Sequence, residues 1–249
     1  MRLVPAALLS LSLAVAGAQT DWPHYFADPE STHYSALDQI HRGNVARLRP
    51  AWVYHTGDKR DRPQTTIECT PIVVKGVMYL TTAQLQAAAV DPATGKQLWV
   101  FDPVQEKSRG VNRGVTYWEE GADQRILYVV GPHLYCLNAR TGKLIPGFGD
   151  EGTVDITKGL DRDITGLTYT TSSPGVIYKN LIILGATMGE GPRPSAPGHI
   201  RAWDVRTGKQ AWRFHTIPHP GEPGHETWEG DSWKTAGAAN NWGGMSVDH

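Results

Sequence analysis

Three histidines crowd one short stretch, "FHTIPHPGEPGHETW": His215, His219 and His225. Imidazole is a common protein ligand for transition metals, so the group raises the question of a metal site. The spacings are four and six residues, and the stretch is rich in Pro and Gly, with no helix to align the rings. The expectation is therefore solvent-exposed loop histidines. Cys69 and Cys136 are the only cysteines. Both sit in apolar, strand-like text, which favours two buried thiols over a bridge. No Cys/His spacing of the metal-finger kind is present.

Four further residues carry chemistry only if the fold brings them together. Glu68 and Glu190 carry carboxylates, Arg113 a guanidinium and Trp242 an indole. Singly, each has a plainer role. Glu68 reads as a solvated edge residue and Arg113 as a surface ion pair worth little. Glu190, in a Gly/Pro-rich loop, reads as exposed, and Trp242 as one more packing tryptophan.

The elements that must position them are written in a repeat. "AAVDPATGKQLWVFD" (88–102) and "RAWDVRTGKQAWRFH" (201–215) share the frame A-x-D-x-x-T-G-K-x-x-W. A degenerate copy, "YCLNARTGKLIPGF" (135–148), keeps Asn138, Thr141, Gly142 and Lys143 but puts Pro146 where Trp stood, and "AWVYHTG" (51–57) resembles only the frame's end. Alternating apolar residues enter and leave each frame as strands. The Asp can accept from backbone amides two or three residues on, and the Gly tolerates positive φ, so D-x-x-T-G is a tight strand-to-strand turn. The Trp that follows gives a wide surface for docking a neighbouring unit. Before each frame lies another hairpin: "PIVVKGVMYLTT" (71–82), "RILYVVGPHLYCLN" (125–138) and "GVIYKNLIILGA" (175–186). Each unit is about four short antiparallel strands, one blade of a β-propeller. Only "ALDQIHRGNVARL" (36–48) hints at a helix. A propeller closes into a ring to hide its edge strands. Residues 58 to 249 hold about three and a half blades, with "GGMSVDH" reading as a strand entering a turn, so the chain reads as the N-terminal part of a larger all-β propeller.

Of the 249 residues, 40% are apolar and 20% charged, and the net charge is −1 with no run of Lys or Arg. That argues for a folded protein and against a nucleic-acid partner. Residues 1–20 read as a signal peptide, with Arg2 before an apolar run and Ala16 and Ala18 framing a cleavage site. The expectation is an exported protein whose propeller part covers 21–249.

The frame, "HYSALDQIHRGNVARLRPAWVYHTGD" and "WEGDSWKTAGAANNWGGMSVD" resemble the quinoprotein dehydrogenases, which use pyrroloquinoline quinone (PQQ). The resemblance covers nearly all of 21–249. It implies an eight-bladed propeller that oxidises alcohols or sugars in the periplasm, with Ca²⁺ beside a quinone on the axis and electrons passing to a cytochrome or membrane quinone. Position by position, it makes Glu68 and Arg113 quinone contacts and Glu190 the calcium ligand. It makes Thr187, Met188 and Gly189 a loop over one quinone face, Trp242 the floor beneath the rings, and Thr171 a further contact. The family's catalytic aspartate and an asparagine calcium ligand are expected beyond this chain, so the polypeptide alone is expected to be inactive. Two adjacent cysteines of the methanol and ethanol dehydrogenases are replaced in "EKSRGVNRG" by Lys107 and Ser108. "FHTIPHPGEPGHETW" is similar instead to the glucose-dehydrogenase-like branch, which points to a sugar or polyol substrate. A non-catalytic scaffold of the outer-membrane assembly type shares the repeat, but needs no acidic, basic and aromatic set converging on the axis.

Overall fold

A computed structural model describes residues 21–103, 110–191 and 194–248. Residues 1–20 and the stretch containing Lys107 and Ser108 lie outside it. The first sheet holds β1 (Ile72–Val74), β2 (Val77–Thr81), β3 (Ala87–Val90) and β4 (Gln97–Phe101), paired antiparallel in chain order. The second repeats this with β5 (Thr116–Glu120), β6 (Asp123–Val130), β7 (His133–Asn138) and β8 (Thr153–Asp155). Then follow β9 (Tyr169–Thr170), β10 (Val176–Tyr178), β11 (Leu181–Leu184), β12 (Thr187–Met188), β13 (Ile200–Asp204) and β14 (Gln210–Phe214). The third sheet is β10-β11-β13-β14, with β9 and β12 forming a separate ribbon beside it. Three four-stranded meanders are three blades, as the repeat requires.

The turns form for the reasons written in the frame. Asp91, Asn138 and Asp204 each accept backbone N–H bonds through Oδ1 from residues two or three positions on. The glycine that closes each turn is left-handed, with φ of 73° at Gly95, 68° at Gly142 and 71° at Gly208. The "KG" hairpin joins Val74 to Val77 with Lys75 and Gly76 both at positive φ, the two-residue connection that matches strand twist.

Stacking of the blades is visible within one strand. Along β6, Ile126, Tyr128 and Val130 face a core shared with the first blade, whereas Leu127 and Val129 face a core shared with the third. Period-two alternation thus buries both faces of the middle sheet. Arg125 adds a polar tie, donating to the carbonyls of Val205 and Arg206 while paired to Asp123 at 2.7 Å.

The repeated tryptophans clasp the next turn along. Trp52 donates to the Pro92 carbonyl at 3.0 Å and Trp99 to the Ala139 carbonyl at 2.9 Å. Each indole lies so close over its partner glycine, Gly95 or Gly142, that a Cβ there would fall 2.6 Å from the ring. Where the degenerate frame lost its Trp, backbone replaces it: Gly149 donates to the Thr207 carbonyl at 2.9 Å. Trp212 is 40% and Phe214 60% exposed on β14.

Three expectations change in detail. The 36–48 stretch forms only a 3₁₀ turn, Val45–Arg47, since no apolar face of it is buried. The thiols are unbridged, Cys136 buried and Cys69 half-buried. Residues 243–248 form no strand; Val247 instead donates to the Pro29 carbonyl, so this stretch lies against the N-terminal segment. No helix among the described residues is long and apolar enough to cross a membrane.

Candidate functional site

The segments leading into the three blades meet at one end of the sheets. Arg113 is stitched there by its own backbone: its N–H donates to the Ser172 carbonyl at 2.7 Å, and its carbonyl accepts from Thr70 at 3.0 Å. One residue therefore ties the entries of all three blades, which fixes where its side chain starts. Arg113 Nη1 then donates to Ser172 Oγ at 2.7 Å, and Nη2 stands 3.2 Å from Glu68 Oε2. The guanidinium carbon lies 5.3 Å from the centre of the Trp242 ring. With Glu68 41% exposed, the ion pair contributes about 0–1 kcal/mol and serves to aim the guanidinium.

A cleft of about 490 Å³ opens beside this arginine, lined among others by Arg113, Thr171, Ser172, Thr187, Glu190 and Trp242. That volume is ordinary for a small-molecule site, about 300–1,000 Å³. Leu85, Val111, Val129 and Val130 supply its apolar part. Thr171 Oγ1 donates to the Gly185 carbonyl, and the Ser172 and Thr187 hydroxyls lie 3.4 Å apart. Glu190 is exposed and, among the described residues, makes no ion pair or hydrogen bond.

Trp242 reaches the cleft on a strap that a sequence reading of single residues does not reveal. Residues 236–242 run close over the third blade because glycines lie beneath them. A Cβ on Gly185 would fall 2.0 Å from the Asn241 oxygen, and one on Gly198 2.1 Å from the Ala239 oxygen. Asn240 Nδ2 donates to the Ala186 carbonyl at 2.8 Å and Ser173 Oγ to the Trp242 carbonyl, which seats the indole, 49% exposed, at the cleft.

Of the residues singled out in sequence, Arg113, Thr171, Thr187, Glu190 and Trp242 line the cleft, and Glu68 joins through Arg113. Met188 does not line it; its side chain is 4% exposed in the core between the second and third blades. Gly189 is exposed and does not line it either; its carbonyl accepts from Ser195 Oγ. Missed were Ser172 and Ser173, although "TTSSPG" shows a run of hydroxyls beside Thr171. Tyr25 stands near Arg113 without lining the cleft; burial raises its pKa, and the Arg113 charge pulls it partly back.

The histidine stretch requires a correction. His215 and His219 are not solvent-exposed: their side chains are 17% and 20% exposed. Both turn inward onto Asp161 and His199, which no local spacing linked to them. His225 is half-buried, packed edge-on to Trp233 at 5.7 Å.

The model of the PQQ glucose/ethanol/alcohol dehydrogenase β-propeller domain matches residues 22–249. The chain is 33% identical over 216 residues to the quinoprotein glucose dehydrogenase of Escherichia coli (strain K12), covering 79% of this chain and 27% of that one. It is 32% identical over 249 residues to the glycerol dehydrogenase large subunit of Gluconobacter oxydans (strain 621H), covering 93% and 33%. In three dimensions it resembles the quinohemoprotein alcohol dehydrogenase ADHIIG of Pseudomonas putida HK5, with TM-score 0.73 and 28% identity over 92% of this chain and 33% of that one. The chain thus spans about a third or less of the length of these relatives.

Proposed function

Because the chain belongs to the PQQ-dependent glucose/ethanol/alcohol dehydrogenase β-propeller family, we propose that its cleft is one side of a PQQ site, and that the whole protein oxidises a sugar, polyol or alcohol in the periplasm. The observation that carries this is convergence: a guanidinium, two hydroxyls, an uncommitted carboxylate and an indole face from four separate chain segments line one cleft. A set drawn from the entry of the second blade, from the third blade and from the strap across it is not what solvated edge residues would give.

These residues fit the group. PQQ is a flat tricycle bearing carboxylates, and when bound it supplies a two-electron acceptor for hydride from the substrate carbon. Trp242 offers the flat wall on which such rings stack. Arg113, already aimed by Glu68 and Ser172, can donate two parallel bonds to a carboxylate. Thr171 and Thr187 supply hydroxyls at the rim. Glu190 supplies an oxygen ligand for Ca²⁺, which takes about 6–8 oxygens. One carboxylate is far short of that shell, so further oxygen ligands would have to come from outside this chain. By the family resemblance the aspartate base would lie there as well.

Electrons leave to a cytochrome or a membrane quinone, and the signal-like residues 1–20 support export. The 249-residue chain alone is expected to hold PQQ weakly and not to turn over. Adding PQQ and Ca²⁺ while following tryptophan fluorescence and dye reduction tests this. Quenching that disappears in Trp242→Ala, without dye reduction, is the expected result; no quenching at any PQQ concentration overturns the cleft assignment, and robust dye reduction overturns the division of the site.

A further inference from the structure

Away from the cleft, the third blade gathers four potential metal ligands. His199 immediately precedes β13 and His215 immediately follows β14; the register pairs Ile200 with Phe214, so the two histidines stand side by side where the hairpin ends. His219 stacks on His215 with ring centres 3.8 Å apart. Asp161 comes from the loop before β9. One ligand atom from each of the four lies within 4.8 Å of all the others.

Distances to Asp161 Oδ2 are 2.7 Å from His199 Nε2, 3.0 Å from His219 Nε2 and 3.8 Å from His215 Nε2. Ligands about 2.0–2.1 Å from a tetrahedral ion stand about 3.3 Å apart, so these values bracket the required edge. Hydrogen bonding accounts for only part of the cluster, the 2.7 Å contact of His199 Nε2 with Asp161 Oδ2. The Nε2 atoms of His215 and His219 are buried and have no hydrogen-bond partner, although both face the carboxylate. His215 Nδ1 is committed to Glu222 Oε1 at 2.7 Å, and Glu222 Oε2 accepts the His219 backbone N–H at 2.7 Å. With Nδ1 engaged by Glu222, Nε2 is the ring atom left to bind a metal ion, and it faces the Asp161 carboxylate. His199, 1% exposed, completes the pocket floor, and Trp233 covers His219 at 4.8 Å.

We propose that Asp161, His199, His215 and His219 form a closed, four-ligand site for Zn²⁺ or a similar transition-metal ion, with Glu222 as the outer carboxylate that orients His215. One divalent ion would satisfy the two orphaned imidazole nitrogens of His215 and His219 and take the place of the proton shared by His199 and Asp161. Four protein ligands leave no open position, so the site is structural rather than catalytic. Its nitrogen-rich donor set separates it from the oxygen-seeking ion expected at Glu190, since imidazole suits zinc and carboxylate suits calcium. The bound ion would pin the 215–236 loop to the third blade.

The test uses the full chain without a histidine tag, stripped with chelator and dialysed. Wild type should take up one equivalent of Zn²⁺ by metal analysis and calorimetry, unaffected by millimolar Ca²⁺. Added Co²⁺ should give the intense visible spectrum of a tetrahedral site. His219→Ala and Asp161→Asn should each abolish stoichiometric uptake, while Glu222→Gln weakens it about 10–100-fold. Glu190→Gln should leave it unchanged. Circular dichroism confirms folding of the variants, and since His219 and Asp161 lie outside the strands, either one folded suffices. Absence of Zn²⁺ uptake by wild type overturns the proposal, and so does uptake that survives in a folded His219→Ala protein.

Discussion

Trp99 and Trp212 occupy the same place in the same sequence frame, yet the fold gives them different work. Trp99 is 9% exposed, clasps Gly142 and donates to the buried Ala139 carbonyl. Trp212 is 40% exposed. Removing a buried Trp side chain costs about 3–5 kcal/mol, and orphaning the carbonyl it served adds about 1–3 kcal/mol where water cannot replace it. A domain of this kind is stable by about 5–15 kcal/mol, so Trp99→Ala removes a large share. Trp212→Ala should cost about 1 kcal/mol or less in the 249-residue chain. Gly142→Ala approaches the same clasp from the other side. It puts a Cβ 2.6 Å from the indole at φ 68°, where the left-handed backbone alone costs about 1–2 kcal/mol. Urea denaturation followed by circular dichroism reads all three. Equal losses for Trp99→Ala and Trp212→Ala would refute the clasp as the source of stability.

Gly198→Ala should lift the strap from the third blade, because its Cβ would sit 2.1 Å from the Ala239 oxygen; PQQ-induced fluorescence quenching should weaken at least about 10-fold with little change in secondary structure, a displacement of about 1 Å being enough. Arg113→Lys keeps the charge but loses the fork, so PQQ binding should fall while urea stability moves by no more than about 1 kcal/mol, read by fluorescence titration and denaturation side by side. Burial pushes the Cys136 thiol up to about 12, with Arg125 partly opposing. In the native protein it should therefore resist a thiol reagent at pH 8 that titrates both cysteines in urea. The unfolded thiol ionises first, so stability should fall as pH rises from about 9 towards 12, by up to about 1.4 kcal/mol per pH unit.

The blades were legible because their determinants are local. An Asx turn, a left-handed glycine and a two-residue hairpin each fit within a few residues, and a strand alternates whatever it packs against. The cleft residues were legible only through their resemblance to family motifs; nothing in the spacing of Arg113 and Trp242 says that they meet. Met188 shows the cost of carrying a motif over whole, since in a strand the pleat sends neighbouring side chains to opposite faces. Thr187 faces the cleft and Met188 therefore faces the core. The histidines were misread because a loop with no periodicity was judged by its own sequence. His199 and His215 flank one hairpin, and following the register outward from "IRAWD" and "QAWRF" would have set them opposite each other. Asp161 was out of reach by any such count.

Each tryptophan clasp joins residues that are 40 positions apart in the chain, Trp52 to Pro92 and Trp99 to Ala139. A blade therefore cannot be latched by its own sequence. It stays open until the turn of its successor has formed, so the repeat closes blade upon blade and not within each unit. Until then its exposed tryptophan is the surface on which a chaperone, or a misdirected neighbour, would first compete.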